Sequence, residues 1–223
     1  MTIHIQTAAR EAREVVDFEP HVSAYRTTFK RVCDIAFVVC ILPVILPVIL
    51  VFAILVGLDG HNPFFTQSRV GKDGRVFRMF KLRSMVVDAE SRLLEHLSAN
   101  PEARREWDEM QKLTRDPRIT LVGRIIRKTS IDELPQFLNV LLGDMSVVGP
   151  RPMLPSQREM YPGKAYYLLM PGVTGFWQIG DRHATSFAER ARYDADYYRK
   201  ISFATDLMVI LKTFRAICRG TGA

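Results

Sequence analysis

The stretch VCDIAFVVCILPVILPVILVFAILVGL, residues 32–58, decides the fold of this 223-residue chain. Asp34 is its only charged residue, and Pro43 and Pro47 lie near its middle. A helix needs roughly 20 apolar residues to cross the hydrocarbon core of a bilayer, so the stretch is long enough. It starts too late in the chain for a signal peptide and lacks a clear small-residue cleavage site. The sequence therefore predicts a membrane anchor over residues 25–60.

Two topologies are compatible with this anchor. Hydropathy alone favours one helix that spans the membrane. Each of the two prolines, however, removes a backbone hydrogen bond and bends a helix. Basic residues also flank both ends, where the positive-inside rule places them on the cytoplasmic side. These residues are Arg26, Lys30, Arg31, Arg69, Lys72, Arg75 and Arg78. We therefore predict a re-entrant helix–break–helix anchor that enters and leaves on one face.

The remaining residues predict an α+β, mainly helical fold. A polar N-terminal segment, residues 1–24, precedes the anchor, and a domain over residues 61–223 follows it. Within this domain, Lys72-Asp73-Gly74 is a turn signal between two strand-like segments and predicts a β-hairpin. Residues 86–112 are rich in helix formers and predict one or two helices, interrupted near Asn100-Pro101.

Two amphipathic helices are predicted near the C-terminus. Ser186-Phe187-Ala188-Glu189 fits a capping box and opens a helix through about Arg199, with tyrosines on a packed face. A second helix, from Asp206 to Arg219, carries an apolar stripe beside basic residues. The stripe consists of Leu207, Ile210, Leu211, Phe214 and Ile217. Such a helix lies either in a lipid interface or on a protein core, and the pattern does not choose between them.

The stretch from Arg127 to Pro152 contains most of the chemistry. It places the adjacent carboxylates of Asp132 and Glu133 close to Arg127, and it holds Arg151 between two prolines on a stiff, extended backbone. Neighbours on a helix point about 100° apart, so the two carboxylates cannot face one bond as a matched pair. We expect different roles, one as a nucleophile and the other as a metal ligand.

The local structure of this stretch has two interpretations. Ser130 and Glu133 have the spacing of a capping box. Alternatively, Asp132 caps a helix that runs to Gly143, with Pro135 at the third helical position, where no N–H is needed. Both place Asp132 at a helix N-terminus, which attracts anions. The residue chemistry alone leaves a phosphate site and a helix start with solvated charges equally open.

At the level of whole motifs, this stretch resembles the bacterial sugar transferases of the monotopic phosphoglycosyl transferase type. These enzymes move a phosphosugar from a nucleotide diphosphosugar to a polyprenyl phosphate. Further segments resemble the family in the same order, and together they span roughly residues 25–215, which is more specific than one short motif. The segments are Lys81–Met85, Asp116–Thr120, Pro171–Gly175 and Tyr197-Tyr198.

The resemblance implies roles for six residues. Asp132 is the expected nucleophile, Glu133 the expected Mg²⁺ ligand and Lys81 an active-site lysine. Arg127 and Arg151 align with phosphate-binding arginines, and Arg182 aligns with a position implicated in nucleotide binding. The chain reads Gly180-Asp181-Arg182-His183 where related chains often read Asn-Gly-Arg-Asn, so the role of Arg182 rests on a weaker match.

The expected partners follow from the same resemblance. They are a UDP-sugar donor, an undecaprenyl phosphate acceptor and membrane lipids, with Mg²⁺ as cofactor and galactose or glucose as cargo. The expected location is the bacterial inner membrane with the active site on the cytoplasmic face, and the product starts an exopolysaccharide or related surface glycan. A homodimer is compatible with the sequence.

The net charge of +7 suits anionic partners in general. A membrane-tethered, non-catalytic adaptor that binds anionic lipid or an acidic partner is therefore the alternative function. Nucleic acid is not an expected partner, because no recognisable nucleic-acid-binding module is present.

Overall fold

The computed structural model describes residues 23–110, 113–180 and 187–218. Most of the predicted segment 1–24 lies outside these ranges. The described helices are α1 Lys30–Gly57, α2 Ala89–Ala99, α3 Pro101–Met110, α4 Leu121–Lys128, α5 Gln136–Leu142, α6 Phe176–Ile179, α7 Arg190–Lys200 and α8 Phe203–Cys218. The described strands are β1 Phe64–Val70, β2 Val76–Leu82, β3 Ser146–Val148 and β4 Gly172–Thr174. The predicted α+β, mainly helical class is confirmed.

The apolar stretch forms one continuous helix. α1 has 28 residues and contains both Pro43 and Pro47. Each proline removes only one hydrogen bond, so the helical conformation continues on both sides. Within the described ranges, the segment Tyr25–Gly57 is the one helix long and apolar enough to cross a membrane. The predicted break therefore does not interrupt the helix, and the re-entrant course remains a prediction.

Both ends of α1 pack against the same globular body, while its middle is exposed. At the N-terminal end, the Arg31 Nη1 donates to the Val140 carbonyl oxygen over 2.5 Å, and Asp34 Oδ2 accepts from Ser146 Oγ over 2.7 Å. At the other end, Ala53 and Val56 are buried in a cluster with residues of β2 and α4. The exposed middle presents large apolar side chains, among them Val39, Val44, Leu46, Leu50 and Val51.

The predicted β-hairpin is confirmed. β1 and β2 are antiparallel, with Phe64 opposite Leu82 and Val70 opposite Val76. Asp73 and Gly74 adopt positive φ angles of 57° and 75°, which close the turn.

A parallel pair of short strands forms the centre of the domain. β3 and β4 pair with Ser146 opposite Gly172 and Val148 opposite Thr174. A Cβ atom built on Gly149 would lie 2.2 Å from the Met170 carbonyl oxygen, and one built on Gly172 would lie 2.1 Å from the Gly149 nitrogen. The backbones therefore approach so closely that only glycine fits at these positions. Gly149 directly precedes the Pro-Arg-Pro sequence at residues 150–152, so this contact positions Arg151.

The remaining helices follow the predicted pattern in part. α2 and α3 meet at Asn100, whose Oδ1 accepts from the Ala103 backbone nitrogen over 3.1 Å, so the predicted interruption is confirmed. In α7, Tyr197 and Tyr198 are buried, as expected of a packed face, while Ser186 of the predicted capping box lies outside the described residues.

The C-terminal helix turns its apolar stripe outward. α8 buries Asp206 and Val209, whereas Leu207, Leu211 and Phe214 are exposed. The core interpretation is therefore wrong for these three residues, whereas Ile210 packs against the main core cluster. The Lys30 Nζ lies 2.6 Å from Asp206 Oδ2, which fastens α8 beside the N-terminal end of α1.

Candidate active site

Asp132 and Glu133 lie in a tight turn between two helices. After α4 ends, Ser130 adopts a left-handed conformation with φ 56°, and a 3-10 turn follows at Ile131–Glu133. The α5 helix begins only at Gln136, after Pro135. Both predicted registers, the Ser130 capping box and the Asp132 N-cap, are therefore wrong. Pro135 has no N–H to donate, so it lies at the N-cap of α5 and the regular helix starts at the next residue.

Four of the predicted residues meet at this turn. The Lys81 Nζ, from β2, lies 2.8 Å from Glu133 Oε1 and 3.6 Å from Asp132 Oδ2. The Arg151 Nη2, from the segment after β3, lies 3.5 Å from the same Glu133 oxygen. Asp132 and Glu133 thus share the Lys81 ammonium group, and Glu133 also contacts the Arg151 guanidinium.

The environment of Asp132 makes its carboxylate unusually basic. Only 8% of the residue is exposed. Burial raises the pKa of the Asp132 carboxyl above its usual value and outweighs Lys81, Arg127 and Arg151, which lower it; the neighbouring Glu133 raises it further. A buried carboxylate that has lost its hydration is a stronger nucleophile than a solvated one once it is ionised.

Arg127 lies near two carboxylates. Its charge lowers the pKa of both Asp132 and Asp116. Burial alone would raise the pKa of Asp116, but Arg118 donates two hydrogen bonds to this carboxylate, of 2.8 and 2.6 Å, and holds the pKa below its usual value. Arg127 therefore contributes positive charge near both Asp132 and Asp116.

Two of the family-like segments pair with each other. Met85 forms an isolated antiparallel bridge with Ile119, and the Thr120 backbone nitrogen donates to the Ser84 carbonyl oxygen over 3.2 Å. A Cβ atom built on Gly123 would lie 1.9 Å from that same carbonyl oxygen, so α4 packs directly on the segment that follows β2, the strand that carries Lys81. This contact fixes Lys81 relative to the turn after α4.

All of these segments lie within residues 25–220, which match the family model described as "Bacterial sugar transferase". The chain belongs to the bacterial sugar transferase family.

Three relatives illustrate the similarity. The chain is 42% identical over 196 residues to the UDP-galactose-lipid carrier transferase of Erwinia amylovora, which covers 87% of this chain and 41% of that protein. It is 38% identical over 197 residues to the exopolysaccharide production protein ExoY of Sinorhizobium fredii, covering 87% of each. It is 41% identical over 196 residues to the undecaprenyl-phosphate galactose phosphotransferase of Salmonella typhimurium, covering 87% of this chain and 41% of that protein. The chain thus spans less than half the length of two relatives and most of the third.

Glu133, the predicted Mg²⁺ ligand, lies where a bound Mg²⁺ ion could be held. Among the described residues, no group of three or more His, Cys, Asp or Glu side chains could hold a metal ion. Mg²⁺ is often bound by one or two carboxylates, with substrate phosphates and water completing its shell. Glu133 and Asp132 fit that requirement, because both already face a cation, the Lys81 ammonium. Glu133, which is more exposed than Asp132, is the better placed of the two.

The remaining site predictions have different outcomes. Arg182 lies outside the described residues, so its role in nucleotide binding stays a prediction. Sequence reasoning missed Arg69, in β1, and Arg190, in α7, which both lie near Arg151. No short motif marks either residue. The one available signal was Trp177, an aromatic residue inside a glycine-rich segment, against which Arg190 packs.

Proposed function

We propose that this family member transfers a hexose 1-phosphate from a UDP-sugar to undecaprenyl phosphate and releases UMP. The product would start an exopolysaccharide or a related surface glycan. The observation that carries the proposal is the buried Asp132 carboxylate beside Glu133, with the cations Lys81 and Arg151 around them. The names of the relatives supply the substrate classes, a galactose donor and the undecaprenyl phosphate acceptor.

The transfer divides into two steps because donor and acceptor are both anions that repel each other. In the first step, an Asp132 oxygen attacks the sugar-side phosphorus of the donor. The bond from this phosphorus to the bridging oxygen breaks, and UMP leaves with the electron pair on that oxygen. The phosphosugar is then held on Asp132 as an acyl phosphate.

In the second step, an oxygen of undecaprenyl phosphate attacks the same phosphorus. Asp132 leaves as a carboxylate, and the lipid diphosphosugar forms. Both nucleophiles act as anions, so neither step needs a separate general base. This agrees with the absence of a histidine from the stretch Arg127–Pro152.

Charge neutralisation supplies most of the remaining catalysis. Lys81 places its ammonium 3.6 Å from Asp132 Oδ2, where it would neutralise the negative charge that develops on the phosphate of the leaving UMP. Arg151 and Arg127 bring guanidinium groups, which suit phosphate oxygens through paired hydrogen bonds. Bound Mg²⁺, held by Glu133, would supply further positive charge for the diphosphate oxygens.

The contacts of α1 support a re-entrant anchor. A straight helix of 28 residues is about 42 Å long, whereas the hydrocarbon core is about 30 Å thick. If α1 spanned the bilayer, its two ends would lie on opposite sides. Instead, Arg31 and Val56 at the two ends both bind the same domain, through Val140 and Arg83. We therefore propose that both ends lie on the cytoplasmic face of the inner membrane, with the exposed stripe of α8 in the lipid interface.

The decisive experiment uses purified protein, Mg²⁺, undecaprenyl phosphate and a panel of UDP-sugars, with UMP as the readout. Without the acceptor, the wild-type protein should release no more than one UMP per molecule, and Asp132→Asn should release none. Asp108→Asn, an exposed aspartate on α3, serves as the matched control and should behave as wild type. Retention of full turnover by Asp132→Asn would disprove the covalent route, and no UMP from any donor would favour the adaptor function.

A further inference from the structure

A second cluster of cations lies beside the proposed active site. The Arg190 guanidinium carbon is 4.1 Å from the centre of the Trp177 ring and 4.8 Å from that of Phe187. The Arg151 guanidinium carbon is 5.7 Å from the same Trp177 ring. Arg151, Arg190, Trp177, Phe187 and Asp194 line one pocket, whose other walls are Met153, Tyr161 and Tyr166.

A third arginine supports this cluster from β1. Arg69 donates through Nη1 to the Pro152 carbonyl oxygen over 3.1 Å, directly after Arg151 in the chain. The Nε atoms of both Arg69 and Arg190 are buried, and neither has a hydrogen-bond partner among the described residues. Buried donors of this kind are normally satisfied, so two of them near one pocket point to a ligand with acceptor oxygens.

The cluster also carries more positive than negative charge. Burial, and secondly the charge of Arg151, lower the pKa of Arg69 and of Arg190 to about 10. Asp194 is the carboxylate that lines the pocket, and it already accepts a hydrogen bond of 2.7 Å from the Tyr161 hydroxyl. Burial raises the pKa of Asp194 to about 7, so near neutral pH it supplies only part of a negative charge. An anion is therefore the complementary ligand.

We propose that Arg69, Arg151 and Arg190 form a second phosphate-binding subsite, adjacent to Asp132 and Glu133. This inference rests on the proposed function, because Arg151 is shared between the two sites. Its 3.5 Å contact with Glu133 and its position near Trp177 place it between them. The ligand is a phosphate group next to the phosphorus that Asp132 attacks. Two sources offer this chemistry, the nucleotide phosphate of the donor and the phosphate of the lipid acceptor.

The first test replaces Arg190 and measures binding of UMP and of inorganic pyrophosphate by calorimetry. Arg190→Gln should weaken at least one of these ligands by at least tenfold, since charge-assisted hydrogen bonds to phosphate are among the stronger polar contacts. Arg192→Gln is the matched control, because Arg192 is exposed on the same helix, and it should change affinity by less than about twofold.

A second measurement does not require Arg190→Gln to fold. The chain has two tryptophans, so Trp107→Phe leaves Trp177 as the only one. Pyrophosphate should then change the Trp177 fluorescence saturably, whereas sodium chloride at matched ionic strength should not. If neither this signal nor the Arg190→Gln affinities change, the subsite does not exist.

Kinetics with the folded variants identify the source of the phosphate. A tenfold rise in the KM for UDP-sugar with an unchanged KM for undecaprenyl phosphate assigns the subsite to the nucleotide. The reverse pattern assigns it to the lipid phosphate. If the wild-type protein binds pyrophosphate through Arg190 but never releases UMP, the subsite stands and the proposed transfer fails. If UMP release is normal and Arg190→Gln changes neither KM nor affinity, the subsite fails and the transfer stands.

Discussion

The close backbone contact at Gly149 leads to a quantitative prediction for Gly149→Ala. The new Cβ atom would lie 2.2 Å from the Met170 carbonyl oxygen, whereas ordinary contact begins at 3.4 Å, so one backbone must move by about 1.2 Å. Overpacking usually costs about 1–3 kcal/mol, and a clash between two backbones should lie at the upper end, about 3 kcal/mol. For a domain of this size, that lowers the melting temperature by roughly 6–12 °C.

The same displacement should reduce activity beyond its effect on stability. Arg151 follows Gly149 by two residues, and a misplacement of about 1 Å in a catalytic site can reduce the rate about 100-fold. The assay compares the melting temperature and the rate of UMP release of the variant with those of Gly57→Ala. At Gly57, the nearest atom to an added Cβ is 3.9 Å away, so this control should resemble wild type. If Gly149→Ala matched the control in both measurements, the backbone contact would not be what positions Arg151.

Three further predictions concern charge, metal and lipid. The pKa of Asp194, about 7 when folded, lies above the usual 3.8, so the wild-type protein should lose stability as the pH rises from about 4 to about 7. In thermal melts, Asp194→Asn should lose less stability over the same pH range. Chelation of the metal should stop UMP release until Mg²⁺ is restored. Glu133→Gln should raise the Mg²⁺ concentration needed for half-maximal rate at least about tenfold. If the Mg²⁺ requirement were unchanged, Glu133 would not be the ligand. Phe214 is 66% exposed, so Phe214→Asn should leave the melting temperature unchanged but raise the KM for undecaprenyl phosphate severalfold, with no effect on the KM for UDP-sugar. Equal changes in both KM values would argue against a lipid contact at Phe214.

The local features of the fold were predictable because short segments determine them. The turn at Lys72-Asp73-Gly74, the interruption at Asn100 and the helix end at Gly143 each depend on residues with strong backbone preferences. Gly143 adopts φ 89° after α5, as its position at the end of the helical pattern predicted. These preferences act over two to four residues and need no tertiary information.

The turn at Asp132 shows where such reasoning fails. The capping-box spacing at Ser130 is a real pattern, but Ser130 adopts a left-handed conformation and its side chain makes no capping hydrogen bond. The turn is instead shaped by packing between α4 and β2 and by Pro135. The convergence of Asp132, Glu133, Lys81 and Arg151 was expected from family resemblance, since no periodicity brings residues 81 and 151 together.

Two other features depend on long-range contacts or on the solvent. Arg69 and Arg190 lie 121 positions apart, and only the folded chain places both near Arg151. The amphipathic pattern of α8 is the same for a helix on a protein core and for one in lipid. In the structure Leu207, Leu211 and Phe214 are exposed, so these three side chains do not pack on the protein core.

The attachment of α1 at both ends has a consequence for how substrate is encountered. A domain tethered by one flexible segment can tilt and drift away from the bilayer, whereas a domain held at two points keeps a constant height and orientation. With the proposed re-entrant anchor and lipid acceptor, its catalytic turn meets that acceptor by diffusion in two dimensions. The quantity that governs saturation is therefore the mole fraction of acceptor within the membrane, and dilution of the vesicles at constant lipid composition leaves the reaction rate per enzyme unaltered.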